Sequence, residues 1–462
     1  MLDYILSWGA PYERLYDVSI TFEAQAGQTI LTLPAWRPGR YLIQNYAANV
    51  RDWSPNLEKV GKSAWRLIAE PRQTVTVRYR YYAGVLDAGS SFLDEDEAYF
   101  NGSNLFMMVE GRRSEPCTLE ITTKWPVETQ LPRLAAQGAG TEAPGRQRFL
   151  ARDYDHLIDS PTIASAAMTR ESFAESEATI HLVFRGAEGI DTARFVEPVR
   201  AIVREQARIF GGLPLSQYLF LFHLTDRWHG VEHESSCSIT CRRTALLSAV
   251  AGDKGFDDFL SIVAHEFFHL WNVKRILPAR FLPYDYSVET PTRLLWAMEG
   301  ITSYYGELSL VRAGLWDEKR YLAHLAAEME TLENSRGRQV VSLAQASYDS
   351  WLQDPAQMHD KSNAWISFYN KGEVVAALLD LALRARGRSL DQLMQTLWRD
   401  YGMAGRGLEE DAVERVAGSD LADFFARYVE GTEALPYQEL LALAGLSVES
   451  RRCGPSLGAK FR

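Results

Sequence analysis

At 462 residues the chain exceeds what a single compact core accommodates, which points to two or three domains sharing a large apolar interior. Hydrophobic residues at 46%, charged residues at 24% and aromatics at 11% fit a globular protein and exclude a disordered one. A formal charge of -11 with no Lys/Arg block argues against a nucleic-acid partner, and no run of about eighteen apolar residues argues for a membrane span.

The N-terminal run Met1 to Trp8 carries an acid at its third position and no basic segment, so it does not resemble a signal peptide. Four cysteines, Cys117, Cys237, Cys241 and Cys453, are few for this length and suit a reducing compartment. A cytoplasmic location is the expectation.

From residue 14 to about 185 the pattern has period two, as in Val75, Val77, Tyr79 and Tyr81 alternating with Thr76, Arg78 and Arg80. Leu119, Ile121 and Thr123 repeat it. Turn clusters at Arg37-Pro38-Gly39 and Ala88-Gly89-Ser90 punctuate these strands, which predicts an antiparallel β-sandwich at 1–165. The stretch 137–147, rich in Gly, Ala and Thr, is expected to form an exposed loop. Beyond Leu182 the texture turns helical, with Phe195, Val199, Ile202, Val203 and Ile209 on one side of a segment closed by Gly211-Gly212. A strand at 218–224 follows. Helical periodicity then dominates over 257–275, 292–311, 317–332, 364–386 and 410–428.

The sharpest chemical signal is His265-Glu266-Phe267-Phe268-His269, an HExxH pattern on a mostly apolar helix. Residues four apart share a helix face, so both imidazoles reach one ion while Glu266 is offset to hold a water beside it. A catalytic zinc needs a third protein ligand, and Glu289 and Glu299 are the downstream candidates. Glu289 sits in the turn-like segment Tyr286 to Pro291, where an acid serves as a helix cap or dipole partner. Glu299 interrupts an apolar helical run, where a carboxylate is costly unless it meets a cation, and is preferred. Tyr369 is either an oxyanion donor or a core tyrosine. The polar segment His229-Gly230-Val231-Glu232-His233 either binds substrate or forms a loop, and Cys237 and Cys241, without a matching pair, are structural.

With these motifs the chain resembles the glycyl aminopeptidase family of gluzincin metallopeptidases over nearly its whole length. The run continues as Leu270-Trp271-Asn272-Val273-Lys274-Arg275-Ile276, and Trp296 to Tyr305 is similar to the family segment bearing the third zinc ligand, which implies that role for Glu299. Tyr369 to Gly372 resembles the segment supplying a transition-state tyrosine. Gly230-Val231-Glu232-His233 is similar to the family's Gly-Gly-Leu-Glu-His, the counterpart of a loop whose glutamate in related enzymes helps bind a substrate's free amino group, with His229 replacing the first glycine. Leu33 to Tyr41 and Ala98 to Gly102 resemble the family's β domain. Many members carry a PDZ domain next; about thirty residues follow Gly431, against the roughly eighty such a domain needs, so it is expected to be absent or cut off.

The resulting expectation is an α+β multidomain chain: the β-sandwich at 1–165, a thermolysin-like catalytic α/β region at 166–330 and a helical domain at 331–462 closing the cleft. One Zn2+ per chain is expected on His265, His269 and Glu299, with Glu266 and Tyr369 catalytic and Glu232, Gly230 and His233 binding a peptide substrate. The resemblance implies removal of small N-terminal residues, Gly or Ala. A catalytically inactive peptide-binding or scaffold protein of the same fold is the alternative.

Overall fold

A computed structural model describes residues 1–135, 145–248, 250, 252–353 and 358–449. Residues 137–144 of the expected loop and Cys453 lie outside the described residues, and Arg146 already opens the strand Arg146–Ala151.

Alternating burial builds the N-terminal region. In the strand Thr74–Tyr82, Val75, Val77, Tyr79 and Tyr81 are buried while Thr74 and Arg78 face solvent. This strand lies in a six-stranded sheet ordered Arg146–Ala151, Cys117–Thr122, Leu2–Trp8, Leu15–Glu23, Thr74–Tyr82, Val50–Arg51. Its pairings are antiparallel except for Leu2–Trp8 beside Cys117–Thr122, which are parallel because a long excursion, not a hairpin, joins them. The inward side chains Tyr4, Val18 and Val77 share one core with Leu31, Trp65 and Leu67 of a four-stranded sheet.

A further sheet runs in the order Met168–Glu175, Ala178–Arg185, Gln217–Thr225, Ser236–Arg242, His229–Glu232. Cys237 and Cys241 are buried free thiols on one of its inner strands. Helix α1, Val196–Phe210, packs its apolar side on this sheet and ends at Gly211, whose φ of 80° only glycine adopts cheaply. Helix α2, Lys254–Phe268, is capped by the Asp253 carboxylate accepting from Gly255 N. It begins before residue 257 and stops well short of 275. Past His269 the chain turns so that Trp271 stacks on Phe210, with ring centroids 4.6 Å apart.

A π-helical turn, Trp296–Gly300, leads into helix α3, Ile301–Arg312. Helix α4, Phe368–Arg384, starts at a Ser367 cap. These helices and the second sheet enclose one large apolar core. The expected helix at 410–428 is split by Gly418 (φ 102°) into Ala412–Ala417 and a second piece, Ala422–Tyr428. Segment 33–41 crosses from the β region: Trp36 Nε1 donates to Asp285 O at 2.8 Å and Ala35 N to Tyr286 O at 2.7 Å. Among the described residues no helix is long and apolar enough to cross a membrane.

Candidate metal centre and active site

His265 lies in the last turn of α2 and His269, in helical backbone conformation, is its C-cap one helical turn later, so their rings leave the same face. Their Nε2 atoms are 3.1 Å apart. Glu299, on the π-turn, places Oε2 at 3.6 Å from His265 Nε2 and 3.4 Å from His269 Nε2. The wider turn of a π-helix, a frequent feature of functional sites, helps aim this carboxylate inward. Glu289, by contrast, is exposed in an irregular segment.

The donors suit a zinc ion. A tetrahedral ion with bonds of about 2.0–2.1 Å needs donors roughly 3.3 Å apart, and the observed separations bracket that value. The tautomer is also set: His269 Nδ1 donates to Asn272 O at 2.6 Å, which leaves the Nε2 lone pair facing the site. Asn272 is itself held through Nδ2 by Ala297 O at 2.8 Å, Met298 O at 3.1 Å and Thr302 Oγ1 at 3.1 Å. Glu232, Glu266 and His269 also converge, but that set leaves His265 out although its Nε2 meets the same point.

Charge in the pocket follows from burial and pairing. Burial opposes charge on His269, yet Glu299 outweighs it and holds the imidazole well above its ordinary range. Burial likewise opposes charge on Glu299, and His269 with His265 holds that carboxylate well below its range. A bound cation would take the place of the shared proton. Burial pushes Glu266 above the usual carboxylate range, against the pull of His269 and with Glu232 and Glu299 adding to the rise.

Gly230 explains how close the Glu266 carboxylate sits to the edge strand. A Cβ there would lie 2.1 Å from Glu266 Oε1, so any other residue would push that carboxylate away from where it lies beside the strand His229–Glu232. Glu232 is buried, its Oε1 has no hydrogen-bond partner, and it lies against Gly39, where a Cβ would come within 2.5 Å of Oε2. Tyr369, second residue of α4, stacks on the His265 ring at 6.3 Å between centroids. Desolvation and the nearby Glu299, Glu232 and Glu266 raise its pKa well above the ordinary value, so it remains a neutral donor. Its helix is fixed to the metal-site turn by glycines: a Cβ on Gly300 would lie 2.4 Å from Gly372 Cα.

Together His265, Glu266, His269, Glu299, Tyr369, Glu232 and Gly230 line one cavity of about 420 Å³. His233 does not join them. Alternation along the chain turns its ring to Asp159 at 3.0 Å, and Asp159 also accepts from Lys274 Nζ. It lines a separate cavity of about 280 Å³.

Two family models match the chain: the M61 glycyl aminopeptidase over residues 258–375 and the Peptidase M61 N-terminal domain over residues 3–166. The crystal structure of an aminopeptidase N family protein from Idiomarina loihiensis is 31% identical, with a TM-score of 0.89 over 96% of this chain and 78% of that one. The chain belongs to the M61 glycyl aminopeptidase family. An M1 zinc metallopeptidase from Deinococcus radiodurans, 14% identical, aligns with a TM-score of 0.57 over 94% of each chain. Native yeast LTA4 hydrolase, 13% identical, aligns with a TM-score of 0.54 over 95% of this chain and 66% of that one. At such identities the M61 chain shares the fold with them. No curated protein matches it.

The cavity of this M61 protein holds residues that the motifs do not single out. Tyr41, from the β region, donates its hydroxyl to Glu299 Oε1 at 2.6 Å. Arg40, Ser350, Gln353 and Phe368 line the same space. The one signal for Tyr41 in the sequence is its place at the end of the family-like segment Leu33 to Tyr41.

Proposed function

We propose that this M61 protein is a gluzincin-type zinc aminopeptidase that removes small N-terminal residues, Gly or Ala, from peptides. The observation that carries this is the convergence of two imidazoles and one carboxylate at tetrahedral spacing, with the buried carboxylates of Glu266 and Glu232 beside them, in one cavity. His265, His269 and Glu299 would hold one Zn2+ per chain. When bound, the ion supplies Lewis-acid activation of a water and of the scissile carbonyl.

The chain's own residues account for the rest. Glu266, raised in basicity by burial, accepts the water's proton and returns it to the leaving amine. Tyr369, kept neutral, donates to the developing oxyanion. Glu232 has a buried, unpartnered oxygen, the feature needed to receive a substrate ammonium by a charge-assisted hydrogen bond. Tyr41 and Phe368, whose rings lie 6.2 Å apart, both line the cavity and give it an aromatic wall against which a small first residue would pack. A mutant of the Deinococcus radiodurans enzyme binds a Tyr-Ser-Ala substrate, which supports a peptide here. We place the domains at 1–165, 166–330 and 331–462, and the protein in the cytoplasm, where buried free Cys117, Cys237 and Cys241 stay reduced.

The test joins metal analysis to turnover. Zinc-replete protein should hold about one equivalent, Glu266→Gln should keep it and lose hydrolysis of Gly- and Ala-peptides, and Glu299→Gln but not Glu289→Gln should weaken zinc binding. Parental turnover in Glu266→Gln would refute the assignment of the base. A metal-free, inactive parent would leave only peptide binding.

A further inference from the structure

We propose that Arg40 and Arg227, with Arg37 behind them, form a carboxylate subsite on the leaving-group side of the cleft. The enzyme would then favour short peptides carrying a carboxylate just beyond the scissile bond. The proposal rests on the aminopeptidase reading above and adds the substrate class.

Direction comes from the edge strand. Among the described residues His229–Glu232 pairs only with Ser236–Arg242 and is the last strand of its sheet, so its other edge is unpaired there and can take an extended peptide. Glu232, the amine holder, stands at its C-terminal end and Gly230, packed on Glu266, comes before it. A peptide laid antiparallel along this edge has its amino end at Glu232 and its scissile bond near Gly230. Each further residue advances about 3.3 Å toward His229 and beyond.

A second cavity, of about 450 Å³, opens at that end and shares Arg40 and His229 with the catalytic one. Its charged lining is three guanidinium groups, Arg37, Arg40 and Arg227, against one carboxylate, Asp87. Asp87 is already engaged: it faces His229 Nδ1 at 3.6 Å and accepts from Gly89 N at 2.9 Å. None of the three arginines makes an ion pair among the described residues. Arg40 and Arg227 are exposed.

Arg37 is the telling member. It is 3% exposed, its Nη1 donates to Pro38 O at 3.0 Å, and its Nε has no partner. Among the described residues Arg37 makes no ion pair and the Glu266 carboxylate acts on it only at longer range, so its buried guanidinium lacks a direct counter-charge, which is costly. A substrate carboxylate supplies that counter-charge, and the planar donor fork of arginine suits it. Trp228, 40% exposed, gives the same cavity an apolar wall for the substrate's carbon stem.

The carboxylate has two possible sources, the peptide's own C-terminus or an Asp/Glu side chain, and paired substrates separate them. Ala-Ala against Ala-Ala-amide tests the terminus, and Ala-Glu-amide against Ala-Gln-amide tests the side chain. At least one carboxylate peptide should exceed its neutral partner in kcat/KM by about ten- to a hundredfold, with the ratio shrinking at high salt. Arg227→Gln and Arg40→Gln, both at exposed positions, should bring that ratio toward one. The same preference should appear by calorimetry in peptide binding to zinc-loaded Glu266→Gln. Equal hydrolysis within both pairs, or a ratio unchanged in both arginine variants, would overturn the subsite alone. Hydrolysis of none of the four peptides by the zinc-loaded parent would overturn the peptidase reading and the subsite with it.

Discussion

Replacing Tyr41 by Phe tests whether the β region helps to hold the metal. The Tyr41 hydroxyl donates to Glu299 Oε1 at 2.6 Å, while the other oxygen, Oε2, faces the two imidazoles at 3.4 and 3.6 Å. Burial and Glu299 raise the Tyr41 pKa well above its ordinary value, so the phenol donates at any working pH. Removing a buried hydrogen bond to a charged acceptor costs about 1.5–3 kcal/mol. Carried wholly into metal binding, at about 1.4 kcal/mol per tenfold, this weakens zinc by roughly ten- to a hundredfold. The ring keeps its neighbours, since stacking on Phe281 at 6.3 Å and edge contacts with Trp351 and Phe368 do not use the hydroxyl. Chelator competition measures the zinc Kd, and thermal unfolding in excess chelator checks that the metal-free fold is unaffected. Activity should return when zinc is added in excess. A zinc Kd within about threefold of the parent would refute the role, because the lost bond is too strong to vanish unnoticed.

Gly230→Ala places a methyl 2.1 Å from Glu266 Oε1 and so displaces the base; turnover should fall by about a hundredfold with zinc content unchanged, and a parental rate would show that the approach is not needed. Glu232→Ala should raise KM for unblocked peptides and shrink their preference over acetylated ones by about thirtyfold, or about 2 kcal/mol; equal hydrolysis of free and acetylated peptides by the parent would refute the exopeptidase assignment. His223 is buried with both ring nitrogens unpartnered, and burial pushes its pKa down from 6.5 to about 3. Between those values the unfolded chain binds a proton that the native one refuses, so stability is lost as pH falls from 6.5 toward 3. His223→Leu should flatten that part of a plot of Tm against pH, and an unchanged slope would refute the assignment.

Much of the site is legible in the sequence because its signals are local. HExxH spacing puts His265 and His269 on one helix face, and an acid inside an apolar run marks Glu299 over Glu289 before any contact is known. Period-two alternation similarly reveals the strand around Val77, and Gly211 the end of α1. Local rules fail where chain direction changes for non-local reasons. Helix α2 stops at Phe268, not near 275, because Trp271 finds Phe210 and Asn272 bonds back to the turn before α3. His233 looks like a partner of Glu232, yet strand alternation and the Asp159–Lys274 pair draw it to another cavity. Tyr41 reaches Glu299 across a separation of 258 residues, and Arg37, Arg40 and Arg227 meet only when the β region docks beside the edge strand. Residue type and spacing thus determine which side chains can bind a metal or move a proton, since those depend on chemistry and on helical or strand periodicity. Which carboxylate oxygen of Glu299 is turned to the two imidazoles, and which arginines are left without a direct ion pair, is decided by tertiary packing, because those partners share no local segment of chain.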